Sequence, residues 1–158
     1  MFLAMLGCIV PPTEARGLQV LTYQLLFERS DLVVVATPFR QTVDTQEDYT
    51  LPGIATIDAN GIEREVKCIG VESAFRISAV LKGHTTAQEL ILHHYRDKAS
   101  VPPANGAELV WFDGSPSSYL LFLIREPDGR YAPTGGQVDP GFNAITRLPN
   151  VDPGLNSR

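Results

Sequence analysis

The chain has 158 residues, a length that fits one domain with a sizeable core. Its 44% hydrophobic and 20% charged residues exclude the charge-rich, apolar-poor composition of disorder, and Cys8 and Cys68 are too few for a disulfide-stapled miniprotein or a CxxC zinc module. Thirteen basic residues against eighteen acidic ones leave a net charge of -5, so phosphate-rich partners gain no general attraction and no nucleic-acid partner is expected.

Residues 1–12 read as a signal remnant or a flexible N-terminus. Met1 to Cys8 is apolar and gives way to Pro11-Pro12, but no Lys or Arg precedes Arg16, so the basic start of a secretory signal is missing. Met5-Leu6-Gly7-Cys8 resembles an imperfect bacterial lipobox, which would make Cys8 a lipid anchor. Location is left open: exported or periplasmic if a signal lies upstream of Met1, cytoplasmic otherwise. No run reaches the length of a transmembrane span.

Residues 13–134 carry the folding pattern. From Glu14 to Arg29, Leu18, Leu21, Leu25 and Leu26 recur at helical spacing, with Thr13 as the cap and Ser30-Asp31 as the stop. The alternation from Leu32 through Val43 predicts a strand whose start is apolar on both faces, so the helix is expected to cover its outer side. A loop through Glu47, Asp48 and Pro52 then leads to a short strand at Ile54–Ile57 and a hairpin turn at Asp58-Ala59-Asn60-Gly61.

Ile62 to Lys82 reads as one long strand. Val66 and Cys68 place the apolar phase on even numbers, whereas Ile69, Val71, Phe75, Ile77, Ala79 and Leu81 place it on odd ones, and Gly70 is expected to mark a β-bulge between them. Further strands are predicted at Leu90–Tyr95, Leu109–Phe112 and Tyr119–Ile124, the last pairing with Arg130–Ala132 across the Pro127-Asp128-Gly129 turn. Residues 135–158 read as a loop-rich C-terminal tail. The expectation is a mainly β fold, a small OB-like closed or partly open barrel with one N-terminal helix.

Four stretches carry a family resemblance: Cys8 to Pro12, Ser30 to Thr37, Ala74 to Gly83, and Ser118 to Leu123 with Asp128 to Tyr131. Their order and spacing resemble the netrin-like OB-fold group, among them bacterial proteins related to the tissue inhibitors of metalloproteinases (TIMP-like). The resemblance implies that Cys8 takes the part of the N-terminal Cys whose amine and carbonyl chelate a protease zinc. Here the family's Cys-x-Cys start becomes Cys8-Ile9-Val10, and no cysteine follows on the first strand to staple it.

Other side chains have plainer readings. His93 and His94 are adjacent on a strand and so face opposite ways, which argues against a shared metal ion with or without His84; one is expected near the core and the other in solvent. Cys68 reads as a small buried hydrophobe, Ser115, Ser117 and Ser118 as turn residues, and Gly135-Gly136 with Gly141 as a loop. Glu63, Glu65 and Glu72 fall on a solvated strand face, and Trp111, Phe112, Tyr119 and Phe122 read as core rather than as a base-stacking platform. The expected function is a non-catalytic binding module for an unidentified protein partner, in a bacterial envelope if exported. No catalytic, cofactor-binding or metal residue is assigned, and Cys8 is the single interaction candidate. The alternatives are a metal-dependent enzyme or hydrolase with an unrecognised site, and a metalloproteinase inhibitor acting through Cys8.

Overall fold

The computed structural model describes residues 20–58, 60–98, 109–110, 112, 117–138 and 143–149. The first element is a short helix, α1 (Tyr23–Arg29), which begins where the Thr22 side chain accepts a hydrogen bond from the Leu25 amide at 3.2 Å. Residues 13–19 of the expected helix lie outside the described residues; Val20 to Thr22, expected to be helical, are not helical, and Thr22 is the cap of α1. Its C-terminus is closed twice. Ser30 returns its amide and its hydroxyl to the Leu26 carbonyl, and Lys82 donates to the carbonyls of Phe27 (2.6 Å) and Glu28 (2.9 Å), where the helix dipole favours a cation.

Among the described residues seven strands follow: β1 (Leu32–Pro38), β2 (Val43–Ile57), β3 (Glu63–Lys82), β4 (Glu89–Asp97), β5 (Tyr119–Arg125), β6 (Tyr131–Pro133) and β7 (Ile145–Arg147). Five of them close into a ring in the order β1, β3, β4, β6, β5, with β5 returning to β1 over Leu32↔Leu123 to Ala36↔Tyr119. Every pairing in the ring is antiparallel except β4 with β6, which is parallel and registered at Leu92↔Tyr131. This is a mainly β, OB-like closed barrel with one short helix on its N-terminal side. Inside it pack Leu32, Val34, Ala36, Phe75, Leu92, Tyr119, Leu121 and Leu123, and each Leu, Val or Phe so buried contributes roughly 1.5–3 kcal/mol.

Phe75 is fully buried and meets Phe112 and Tyr119 edge-on at 5.1 and 6.1 Å, as its phase on the central strand predicts. The apolar outer face of β1 is covered as expected, because Leu26 of α1 packs with Val33 and Phe122 outside the barrel.

Several boundaries differ from the sequence reading. The strand expected to run on to Val43 ends at Pro38, and the loop expected through Glu47 and Pro52 is instead part of β2. Pro52 and Gly53 are accommodated there because β2 lies off the ring, pairs among the described residues with β3 alone, and slips register between Thr50 and Ala55. The segment read as a loop-rich tail supplies β7, which extends β5 through Leu121↔Ile145 and buries Ala144 against Phe122. At Leu109–Phe112 the described residues give an isolated bridge, Leu109↔Val138, rather than a strand. Ala79 and Leu81, expected on the apolar face of β3, are exposed at its far end.

The expected bulge at Gly70 is not on β3. That strand pairs with β4 without a slip from Cys68↔Asp97 to Arg76↔Glu89. Its apolar phase changes because different layers cover its two faces: Val66 and Cys68 pack with Leu51 and Leu109 in a second core, while Phe75 points into the barrel. The irregularity belongs to β2, where Asp44 opposes Val71 and Asp48 opposes Ile69. Thr45 to Glu47 arch over Gly70, and a Cβ on Gly70 would sit 2.5 Å from Thr45 Oγ1 and 3.1 Å from Glu47 Cβ. The glycine marks the close approach of a neighbouring strand.

Candidate functional site: a cleft beside a part-buried ionic cluster

The β5–β6 turn is built by local chemistry. The Glu126 amide donates to the Arg130 carbonyl at 2.9 Å, Gly129 takes φ 94°, and Asp128 accepts from the Arg130 amide at 3.0 Å. Hydrogen bonds from the Arg130 amide and guanidinium hold the Asp128 carboxyl below its usual range.

This turn is tied to the strands by charge. His93, 3% exposed on β4, donates from Nδ1 to Glu126 at 2.8 Å, and its Nε2 lies 3.0 Å from Glu47 at an angle too poor for a proper hydrogen bond. Arg130 reaches Glu47 at 3.0 Å, Glu72 at 3.1 Å and Asp128 at 2.7 Å. Burial works against the Arg130 charge, but hydrogen bonds to Glu47, Glu72 and Asp128 outweigh it and raise its pKa. Beside the cluster, burial first and then Glu47 and Glu126 push the Tyr95 hydroxyl up, and its ring stacks on Tyr49 at 4.6 Å.

Next to this cluster opens a cleft of about 700 Å³. Its apolar floor comes from Leu32 of β1, Ala74 and Ile77 of β3, and Leu90 of β4, and the β3–β4 connection carrying His84 faces Arg125, Asp128 and Tyr131 across it. Phe39 stands at one side, held by a hydrogen bond from its amide to the Ala74 carbonyl at 3.1 Å. Its ring meets two guanidinium groups, Arg40 at 5.0 Å and Arg76 at 4.9 Å. Arg125 is placed by its amide, which donates to Asp31 at 2.9 Å, and the β3–β4 connection by the Ile77 amide donating to Gln88 at 2.8 Å.

The residues singled out in the sequence fall mostly elsewhere. Cys8, Trp111, Ser115 and Gly141 lie outside the described residues. His93 and His94 do occupy opposite faces, but both are buried, so the expectation that one is solvated is overturned. His94 faces the barrel interior and shares a 2.9 Å hydrogen bond with Ser73. Burial depresses its pKa to about 4, with a smaller opposing effect from the Val110 backbone.

Cys68 is buried in the second core, and burial, with Asp97 adding to it, pushes its thiol up to about 11, the reverse of an activated nucleophile. Ser117 accepts from Arg147 at 3.1 Å and Ser118 meets Thr37 at 3.2 Å, so both stitch the barrel. Phe112, Tyr119 and Phe122 are core or pack on it. Glu63 and Glu65 are exposed as expected, whereas Glu72 is drawn into the ionic cluster. Among the described residues, no group of three or more His, Cys, Asp and Glu side chains is arranged to hold a metal ion, and no helix is long and apolar enough to cross a membrane.

Sequence reasoning missed the site itself. Glu47, Glu126 and Arg130 had no signal beyond being charged, and Phe39-Arg40 none beyond an aromatic beside a base. The chain matches no family model and no curated protein sequence.

Proposed function

We propose that this chain is a non-catalytic binding module, a netrin-like OB barrel that takes its ligand in the cleft between the β3–β4 connection and the β5–β6 turn. One observation carries the reading: a half-buried stacking group, Phe39 flanked by Arg40 and Arg76, stands beside an apolar floor on the side of the barrel where OB folds commonly bind. Within the ring, β3 and β4 are the second and third strands and the β5–β6 turn joins the last two, the positions OB barrels use for recognition. The cleft falls within the roughly 300–1,000 Å³ typical of small-molecule sites.

The test is a fragment screen on the whole chain read by amide chemical shifts. Hits should cluster at Ala74, Thr85, Ile91, Gly129 and Tyr131, and Phe39→Ala should weaken them about fivefold or more, a loss of ~1 kcal/mol or more. A screen whose hits map to another surface, or that yields none, would sink the reading.

A further inference from the structure

Charge is distributed unevenly around the cleft. Its two carboxylates are already engaged, Glu89 with Arg76 at 3.2 Å and Asp128 with Arg130 at 2.7 Å. Arg40 and Arg125 line the same cleft, are exposed, and have no carboxylate within ion-pair distance of their guanidinium groups among the described residues. The Arg40 head lies against the face of Phe39, and Arg125 is fixed through its amide, which donates to Asp31 and does not use its side chain. In a chain of net charge -5, two arginines without a carboxylate partner on one cleft run against the general field.

We infer that the cleft takes a small organic anion with an apolar body, its charged end gripped by Arg40 and Arg125 and its body laid on Leu32, Ile77 and Leu90. This rests on the cleft being the ligand site. Guanidinium forks match carboxylate and phosphate oxygens in pairs, which is the recognition an unpaired Arg offers. The aliphatic floor contributes through buried area and has few polar groups to satisfy. A neighbouring hollow of about 370 Å³ shares Leu32, His84, Arg125 and Tyr131 with the cleft and adds Asp31, whose carboxylate is taken up by the Arg125 amide, so an elongated body has room to continue past Arg125. A polyanion fits less well, since the net negative chain repels it beyond the cleft.

The experiment titrates the full chain with octanoate, octyl phosphate, 1-octanol and octylammonium, with amide shifts locating each probe. Both anions should bind in the cleft at least tenfold more tightly than octanol, roughly one charge-assisted hydrogen bond, and octylammonium more weakly still. Arg40→Gln and Arg125→Gln should each lower anion affinity about tenfold and leave octanol unchanged, and unaltered shifts away from the cleft will show that the variants fold.

Preference for octanoate over octyl phosphate, or the reverse, identifies the headgroup, and either supports the inference. Octanol binding in the cleft as tightly as the anions, or a double Gln variant that keeps anion affinity, would overturn it while leaving the cleft a ligand site. Failure of all four probes to move cleft amides would remove both readings. An oligothymidylate that shifts the same amides and outcompetes octanoate would replace the small anion with a polymer.

Discussion

His93 Nδ1 and Glu126 are 2.8 Å apart, and this bond fastens the middle of β4 to the turn between β5 and β6. Removing one partner strands the other in a part-buried place, which typically costs about 1–3 kcal/mol. Glu126→Gln should therefore lower stability by that amount in denaturant melts, while Glu63→Gln, exposed and remote, should stay within about 0.5 kcal/mol. A double-mutant cycle with His93→Gln should show coupling of about 1 kcal/mol or more; additive losses would mean the contact is incidental.

His94 makes stability depend on pH. Its folded pKa is depressed to about 4, so on acidification the unfolded chain takes the proton first, from its ordinary value of 6.5. The contribution is whole above 6.5 and drains away as pH falls toward 4. Between about pH 7.5 and about pH 5 the loss is roughly 2 kcal/mol. His94→Leu should flatten that part of the stability profile relative to the parent, and parallel profiles would show that the imidazole is not buried neutral.

Gly70 gives a steric test. Gly70→Ala places a methyl against Thr45 Oγ1 and Glu47 Cβ, and the hydroxyl is already engaged by the Glu47 amide at 3.1 Å. The expected cost is about 1–3 kcal/mol from overpacking. Adding Thr45→Gly should recover part of it, and a neutral Gly70→Ala would mean that β2 does not arch over β3.

Phe75 and Arg76 test the register. Phe75→Ala removes a fully buried ring and should cost roughly 3–5 kcal/mol. The Arg76 side chain is 63% exposed, bonded to Glu89 and stacked on Phe39, so Arg76→Ala should cost no more than about 1 kcal/mol. Denaturant melts with the order reversed would turn β3 over.

How much of this was legible depends on the range of the interactions. The 20 residues of β3 announce themselves by alternation, and the double-sided start of β1 announces a cover, because both are settled by neighbours in sequence. Gly70 was misread because a change of apolar phase has two causes, a bulge or a change of covering layer, and one strand's pattern does not separate them. β7 carried no pattern, since three residues are too few to show a period. The cluster was invisible for a stronger reason: Glu47, Glu72, His93 and Arg130 come from four separate segments, and each alone looks like ordinary surface charge.

The ring has one thin place. Between β4 and β6 the backbone register is Leu92↔Tyr131 alone, where the other seams run over several pairs. His93 to Glu126 and Arg130 to Glu72 cross that same seam, so side chains supply there much of what backbone rungs supply elsewhere. The cleft spans it too, with Leu90 on one bank and Tyr131 on the other. An occupant touching both banks would act as a rivet, drawing the barrel shut by mass action, and the stiffness of the whole ring would then rise and fall with ligand concentration.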